Sequence, residues 1–128
     1  MTIATDLMQG YLAALSTQDI DAIQQMSGAH CLVEIPFLKP NRLVGTAEIV
    51  KAHREIFANL EEIHFSVDSS QSNARHAIAE GRLEVQRDAE KQSYAAGLVA
   101  EADGAVLGRI SLYCDARNVR PWSDKAIL

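Results

Sequence analysis

Through most of the first half of this chain the apolar residues recur at a helical spacing, and through the second half they alternate. That division constrains the fold more than any other feature. Leu7, Tyr11 and Leu15 form one stripe at i, i+4 and i+8, widened by Ile3 and Ala14, which predicts a helix ending near Ser16. Asp19 then stands where an N-cap belongs for a second helix carrying Ile20, Ile23 and Met26, with Gly28 as its left-handed stop. From His30 the period becomes two. Cys31, Val33, Ile35 and Phe37 alternate with Leu32, Glu34 and Pro36, a strand that Pro36 places at an edge or a bend. After a polar loop from Lys39 to Val44, Gly45 and Thr46 open a third helix. Thr46 is its expected N-cap, Glu48 lies in its first turn, and Ile49, His53, Ile56 and Leu60 form its buried face.

Beyond Leu60 the chain reads as strands joined by turns: Ile63 to Val67, Ala74 to Arg87, Tyr94 to Glu101 and Val106 to Ala116. The breaks fall at SSQSN, DAEKQ and the Asp103-Gly104 pair. Consecutive strands with short turns form an antiparallel meander. Helices first and strands after, without βαβ alternation, define an α+β class: a curved antiparallel sheet covered on one face by three helices. A ligand would then sit in the concave space between helices and sheet.

With 128 residues, the expectation is one domain over 1–128, whose last stretch, 118–128, is a tail without clear period. Twelve Lys and Arg are scattered among seventeen acids for a net charge of −5, so no concentrated positive patch exists for a nucleic-acid backbone. No apolar run approaches the roughly 20 residues of a membrane span. The start, MTIATDLMQG, has neither a basic nor a continuous apolar segment, which points to the cytoplasm. Cys31 and Cys114 lie far apart in apolar runs and read as separate thiols. His30, His53, His64 and His76 stand alone, without metal-ligand spacing, and no metal or other cofactor is called for.

The run YLAALSTQDIDAIQQMSGAHCLVEIPF, Tyr11 to Phe37, resembles the same region of the ketosteroid isomerases in its order of tyrosine, DI-A-I--M and VE-P. The likeness continues over Gly45 to Leu60 and, more loosely, near Gly108 to Tyr113. The chain is thereby identified as a member of the SnoaL-like, or nuclear transport factor two-like, superfamily, which holds isomerases, polyketide cyclases, epoxide hydrolases, dehydratases and non-enzymatic binders. The resemblance implies a cone-shaped sheet round a pocket and a homodimer through the sheet's outer face. In the isomerases an aspartate base moves a proton while a tyrosine and a protonated aspartic acid hold the enolate. The tyrosine is kept as Tyr11. The base position falls on Ile35 and the acid near Gly97, so steroid isomerisation by that mechanism is rejected.

The position of a second, hydrogen-bonded tyrosine in those enzymes falls on His53, the one titratable group on the buried stripe of the third helix. Tyr11 and His53 are the expected catalytic pair, although two buried polar residues that merely satisfy one another would look the same in sequence. Ile35, Phe37, Val99, Leu112 and Cys114, with Gly97 leaving room, are the expected apolar lining. Glu80, Arg82 and Glu84 share one face of a strand and read as an outward charge row, with Glu80 kept as a pocket-facing candidate by its place in the resemblance. Glu34 and Asp115 are expected to face away from the pocket. The sequence supports a cofactor-independent isomerase, cyclase or dehydratase acting on a small, mostly apolar, oxygenated compound. The competing reading is a non-catalytic binder of a hydrophobic ligand or a dimeric interaction domain.

Overall fold

A computed structural model of the chain describes residues 2–35 and 41–114. Two helices come first, α1 (Ile3–Thr17) and α2 (Ile20–Met26), followed by strands β1 (Ser27–Glu34) and β2 (Arg42–Val44). Helix α3 (Thr46–Asn59) precedes the long strands β3 (Glu62–Ser72), β4 (His76–Arg87), β5 (Glu90–Asp103) and β6 (Val106–Cys114). The strands make one sheet in the order β2-β1-β6-β5-β4-β3. The α+β class and the helix-covered face are as the sequence implies, with one difference: β1 runs parallel to β6, so the sheet is mixed.

Local chemistry explains where the helices begin and end. The Thr2 hydroxyl caps α1 by accepting from the Thr5 amide at 3.1 Å, and Gln18 closes it in the left-handed region at φ 55°. Asp19 caps α2 through the Ala22 amide at 3.1 Å, as expected. Gly28 does not stop α2. The Ser27 hydroxyl takes the Ile23 carbonyl at 2.6 Å and the chain passes straight into β1. Thr46 is likewise not the N-cap of α3: Gly45, at φ 90°, holds that place. The Thr46 hydroxyl instead donates at 3.3 Å to the Ser27 and Gly28 carbonyls, while Glu48 reaches back to the Val44 amide at 2.9 Å.

The strands are longer than their alternation suggests. β3 continues to Ser72 as an exposed edge whose backbone pairs with β4, so the expected SSQSN turn shrinks to Asn73–Arg75, where Asn73 Oδ1 accepts from the Arg75 and His76 amides at 3.0 and 2.9 Å. Part of the expected 39–44 loop is the short strand β2, paired with β1. Asp88 and Ala89, at φ 54° and 65°, turn β4 into β5. Helix α1 lies across β3 to β6, and α3 packs on β1 and α2. Ala77, Ala79, Leu83 and Val85 of β4 and Leu98 and Ala100 of β5 face the helices in one core with Ile49, Ile56 and Ile110.

Gly81 occupies the helix-side row of β4 opposite the bulge of β3 at Val67/Ser69. A Cβ there would lie 1.8 Å from the Ser66 carbonyl oxygen, whereas at Gly97 it would meet nothing nearer than the Ala79 carbonyl at 3.7 Å. Backbone cannot yield as a side-chain tip can. Gly81→Ala is therefore expected to lower the unfolding free energy by about 2 kcal/mol or more, and Gly97→Ala to change it by less than about 0.5 kcal/mol. Urea denaturation of the two variants checks this, and equal effects would contradict the close approach.

Candidate functional site

Helix α1 turns Tyr11 towards the interior and α3 turns His53 to meet it, each on its helix's apolar stripe. Both are buried, His53 at 0% and Tyr11 at 4% exposure. Tyr11 Oη and His53 Nε2 stand 2.8 Å apart, with the rings edge to face at 87°. On the far side of the imidazole, Nδ1 lies 2.7 Å from the Ile49 carbonyl oxygen, one turn back on the same helix. A carbonyl oxygen only accepts, so Nδ1 carries a proton. Burial holds His53 below its ordinary pKa, outweighing the bond to Ile49, and keeps the imidazole neutral. Nε2 therefore bears the lone pair, and the Tyr11 hydroxyl donates to it.

Burial, with the Cys31 thiol nearby, also raises the Tyr11 phenol above its usual range. Burial pushes the Cys31 thiol itself up to about 11, so it stays protonated and is no nucleophile. Cys31 is a buried thiol, as expected, and Cys114 is half-buried. Among the described residues no group of three or more His, Cys, Asp or Glu is placed to hold a metal ion.

Beside Tyr11 is a cavity of about 20 Å³, room for about one water molecule. Leu12 and Leu15 of α1 and Ile56 of α3 form one wall, and Ile35, Phe65, Leu83, Leu98 and Leu112 the sheet side. Tyr11 alone among these contributors has a polar side chain. Ile35 and Leu112 thus lie where the sequence placed them, while Phe37, Asp115 and the 118–128 tail fall outside the described residues. Cys114 is half-buried against the core and does not line the cavity.

Val99, Gly97 and Glu80 do not line it either. Val99 and Gly97 point to the other face of the sheet, and Leu98 takes the inward place between Ala79 and Leu112. A regular hairpin through the Gly104-Ala105 turn would pair Val99 with Ile110 and Gly97 with Leu112. Gly108 is an extra residue on β6 that moves the register by one, so Ala100 faces Ile110 and Leu98 faces Leu112. One residue of register exchanges the two faces of a strand. Glu80 is exposed opposite Gly97, in the same outward row as Arg82 and Glu84. Leu83, Phe65 and Leu98 were missed as lining residues. The alternation of Leu83 with Glu80, Arg82 and Glu84 could have found the first.

The outward face also carries a polar cluster. Arg109 Nε lies 2.8 Å from Ser111 Oγ and 3.3 Å from Glu34 Oε1, and its Nη1 lies 3.4 Å from Glu101, which His76 meets at 3.0 Å. Glu34 faces away from the pocket, as expected, and its carboxylate accepts from the buried Ser111 hydroxyl at 2.8 Å.

The family model of the SnoaL-like domain matches residues 8–110. The chain belongs to the SnoaL-like domain family. Solved structures with the same fold include a protein of Shewanella denitrificans OS-217 provisionally assigned as a SnoaL-like polyketide cyclase. Its TM-score is 0.80 at 12% identity, over 91% of this chain and 93% of that one. An epoxide hydrolase of Mycobacterium tuberculosis aligns at a TM-score of 0.78 and 14% identity, over 91% and 85% of the two chains. A Catenulispora acidiphila protein with a ketosteroid isomerase-like fold, in complex with trimethylamine, aligns at 0.74 and 12% identity, over 84% and 83%. No curated protein matches the sequence significantly. At these identities the likeness to solved structures is one of fold. In this SnoaL-like domain a phenol and a neutral imidazole meet beside an apolar cavity.

His53 makes stability depend on pH. In the unfolded chain an imidazole binds a proton as pH falls through about 6.5, whereas folded His53 resists protonation to lower pH. Its contribution is complete above that value and is lost below it, at up to about 1.4 kcal/mol per pH unit. Urea unfolding at pH 7.5 and 5.5 should show a smaller fall in His53→Gln than in the wild type. Parallel falls would mean that the imidazole titrates alike in both states.

Proposed function

We propose that this SnoaL-like domain admits a small, mostly apolar, oxygen-bearing molecule between helix and sheet and moves a proton on it through the Tyr11–His53 pair, without a cofactor. The single observation that carries this reading is a directed chain of hydrogen bonds, from Tyr11 to Nε2 and from Nδ1 to the Ile49 carbonyl, beside an apolar cavity in which Tyr11 is the one polar residue among the described residues. A proton leaving the ligand for Tyr11 Oη passes on as the Tyr11 proton moves to Nε2. The ligand is left anionic and the imidazole cationic, and return of the proton at another atom restores both. Tyr11 never has to exist as a free phenolate. That sequence suits an isomerase, cyclase or dehydratase.

The binding-module reading has its own support: the cavity holds about one water, and among the described residues no Asp or Glu lines it. A ligand larger than that must displace the half-buried Leu12 or Leu112 at its edge. Ketones, epoxides and hydroxy compounds offered to the protein should include one that is turned over, and Tyr11→Phe should slow that turnover by about 10²–10⁴-fold. Compounds that bind and are never converted would make the domain a binder. Turnover undiminished in Tyr11→Phe would remove the pair from the chemistry.

We further assign the outer sheet face to contact between two copies of the chain. Val44, Ile78 and Tyr113 are exposed there at 56%, 49% and 51% and are available to such a contact. Ile78→Asp should shift the sedimentation coefficient from that of a dimer to that of a monomer without loss of fold; a wild-type monomer at micromolar concentration would refute the assignment. The buried Cys31 thiol suits a reducing compartment, and we place the protein in the cytoplasm.

A further inference from the structure

We propose that the ligand of this pocket is an apolar alcohol whose hydroxyl donates to Tyr11 Oη, and not a ketone that accepts a hydrogen bond from it. The inference rests on the pocket reading above and adds the direction of the hydrogen bond, which reverses the donor role that the family resemblance implied for this tyrosine.

Three atoms determine that direction. The Ile49 carbonyl holds the imidazole proton on Nδ1 at 2.7 Å, and Nε2 is left as an acceptor 2.8 Å from Tyr11 Oη. A hydroxyl has one proton and two lone pairs, so once its proton is committed to Nε2 only acceptor capacity remains. Among the described residues no group donates to Tyr11 Oη. A buried oxygen with an unfilled acceptor, at 4% residue exposure, thus belongs to a residue lining a cavity of about 20 Å³. That volume suits one hydroxyl group or one water. A ligand carbonyl in the same place would set lone pair against lone pair. It could be accommodated only by turning the phenol proton away from His53, which leaves Nε2 buried without a donor.

Among the described residues the other side chains that line the cavity are apolar, so the bond to Tyr11 is the polar contact that separates two ligands of the same skeleton there. Within the reaction types above, this order of protons serves a step that begins by taking a proton from the ligand.

The test uses the intact chain and matched probes: cyclohexanol with cyclohexanone, 1-indanol with 1-indanone, and 2-naphthol with 2-methoxynaphthalene. Calorimetric titration should show the hydroxyl member of any pair that binds to be tighter by roughly 5–10-fold, and Tyr11→Phe should abolish the difference. Equal or tighter binding of the member without a donor, or a hydroxyl preference that survives in Tyr11→Phe, overturns the proposal while the pocket reading stands. Failure of all six to bind overturns the pocket reading and the proposal with it. Nitrogen NMR of His53 in the unmodified protein provides a check that does not depend on the variant folding. A protonated Nδ1 with a bare Nε2 at pH 7 is expected, and a proton on Nε2 would refute the inference.

Discussion

One constraint governs the sheet: β4 has a face that can be buried and a face that cannot. Ala77, Ala79, Leu83 and Val85 meet the helices, while Ile78, Glu80, Arg82 and Glu84 point away. A slip of one residue would drive three charged side chains into the core, a cost far above the stability of a small domain. With β4 so oriented, its ladders with β3 and β5 carry the same division to the neighbouring strands. Gly81 lets β3 bulge against β4 where a side chain would collide with the Ser66 carbonyl. Helices α1 and α3 then have a single apolar surface to cover, and the cavity lies where the cover is incomplete.

Within that covered space Tyr11, His53 and the Ile49 carbonyl form one row of hydrogen bonds. Burial disfavours charge on both partners, lifting the Tyr11 phenol and lowering the His53 imidazole, so the neutral pair is the resting state. The anchoring bond from His53 to Ile49 is helical in origin, because a residue and the carbonyl four before it lie on the same side of α3. An imidazole held this way cannot choose its tautomer freely, and its tautomer decides which way the phenol proton points. Backbone geometry of a helix thus determines what a ligand on the other side of Tyr11 would encounter.

On the opposite face, the Glu34–Arg109–Ser111 cluster spans the one parallel junction of the sheet. The β1–β6 ladder is irregular between Ser27 and Leu32, and β6 bulges against β5 at Gly108, so the backbone there is less continuously paired than in β3 to β5. Burial would lower the Arg109 pKa, but Tyr113, Glu101 and Glu34 outweigh it and raise it. These side chains are about one-third exposed, with Arg109 at 30% and Glu34 at 34%, and each ion pair taken alone is worth little. The buried Ser111 hydroxyl, bonded to Glu34, joins β6 to β1 from the interior of the cluster.

Periodicity was enough to determine the α+β class, the three helices, the buried stripe of α3 with His53 on it, and the outward row Glu80, Arg82 and Glu84. These follow from local spacing, which is a property of the chain before it folds. The lining of the cavity was legible only in part. Ile35 lies on a strand whose alternation is uninterrupted up to it, and Leu112 shares the face of Ile110 beyond the bulge of β6 at Gly108, whereas Val99 and Gly97 were placed by the resemblance, against the alternation of β5 that turns Leu98, Ala100 and Ala102 inward. The parallel pairing of β1 with β6 is a contact between distant segments and has no local signature either. The sequence by itself determined which residue types could meet, Tyr11 and His53 among them. Only the tertiary structure decided which way the proton between them points, because that depends on a carbonyl oxygen, and every residue has one.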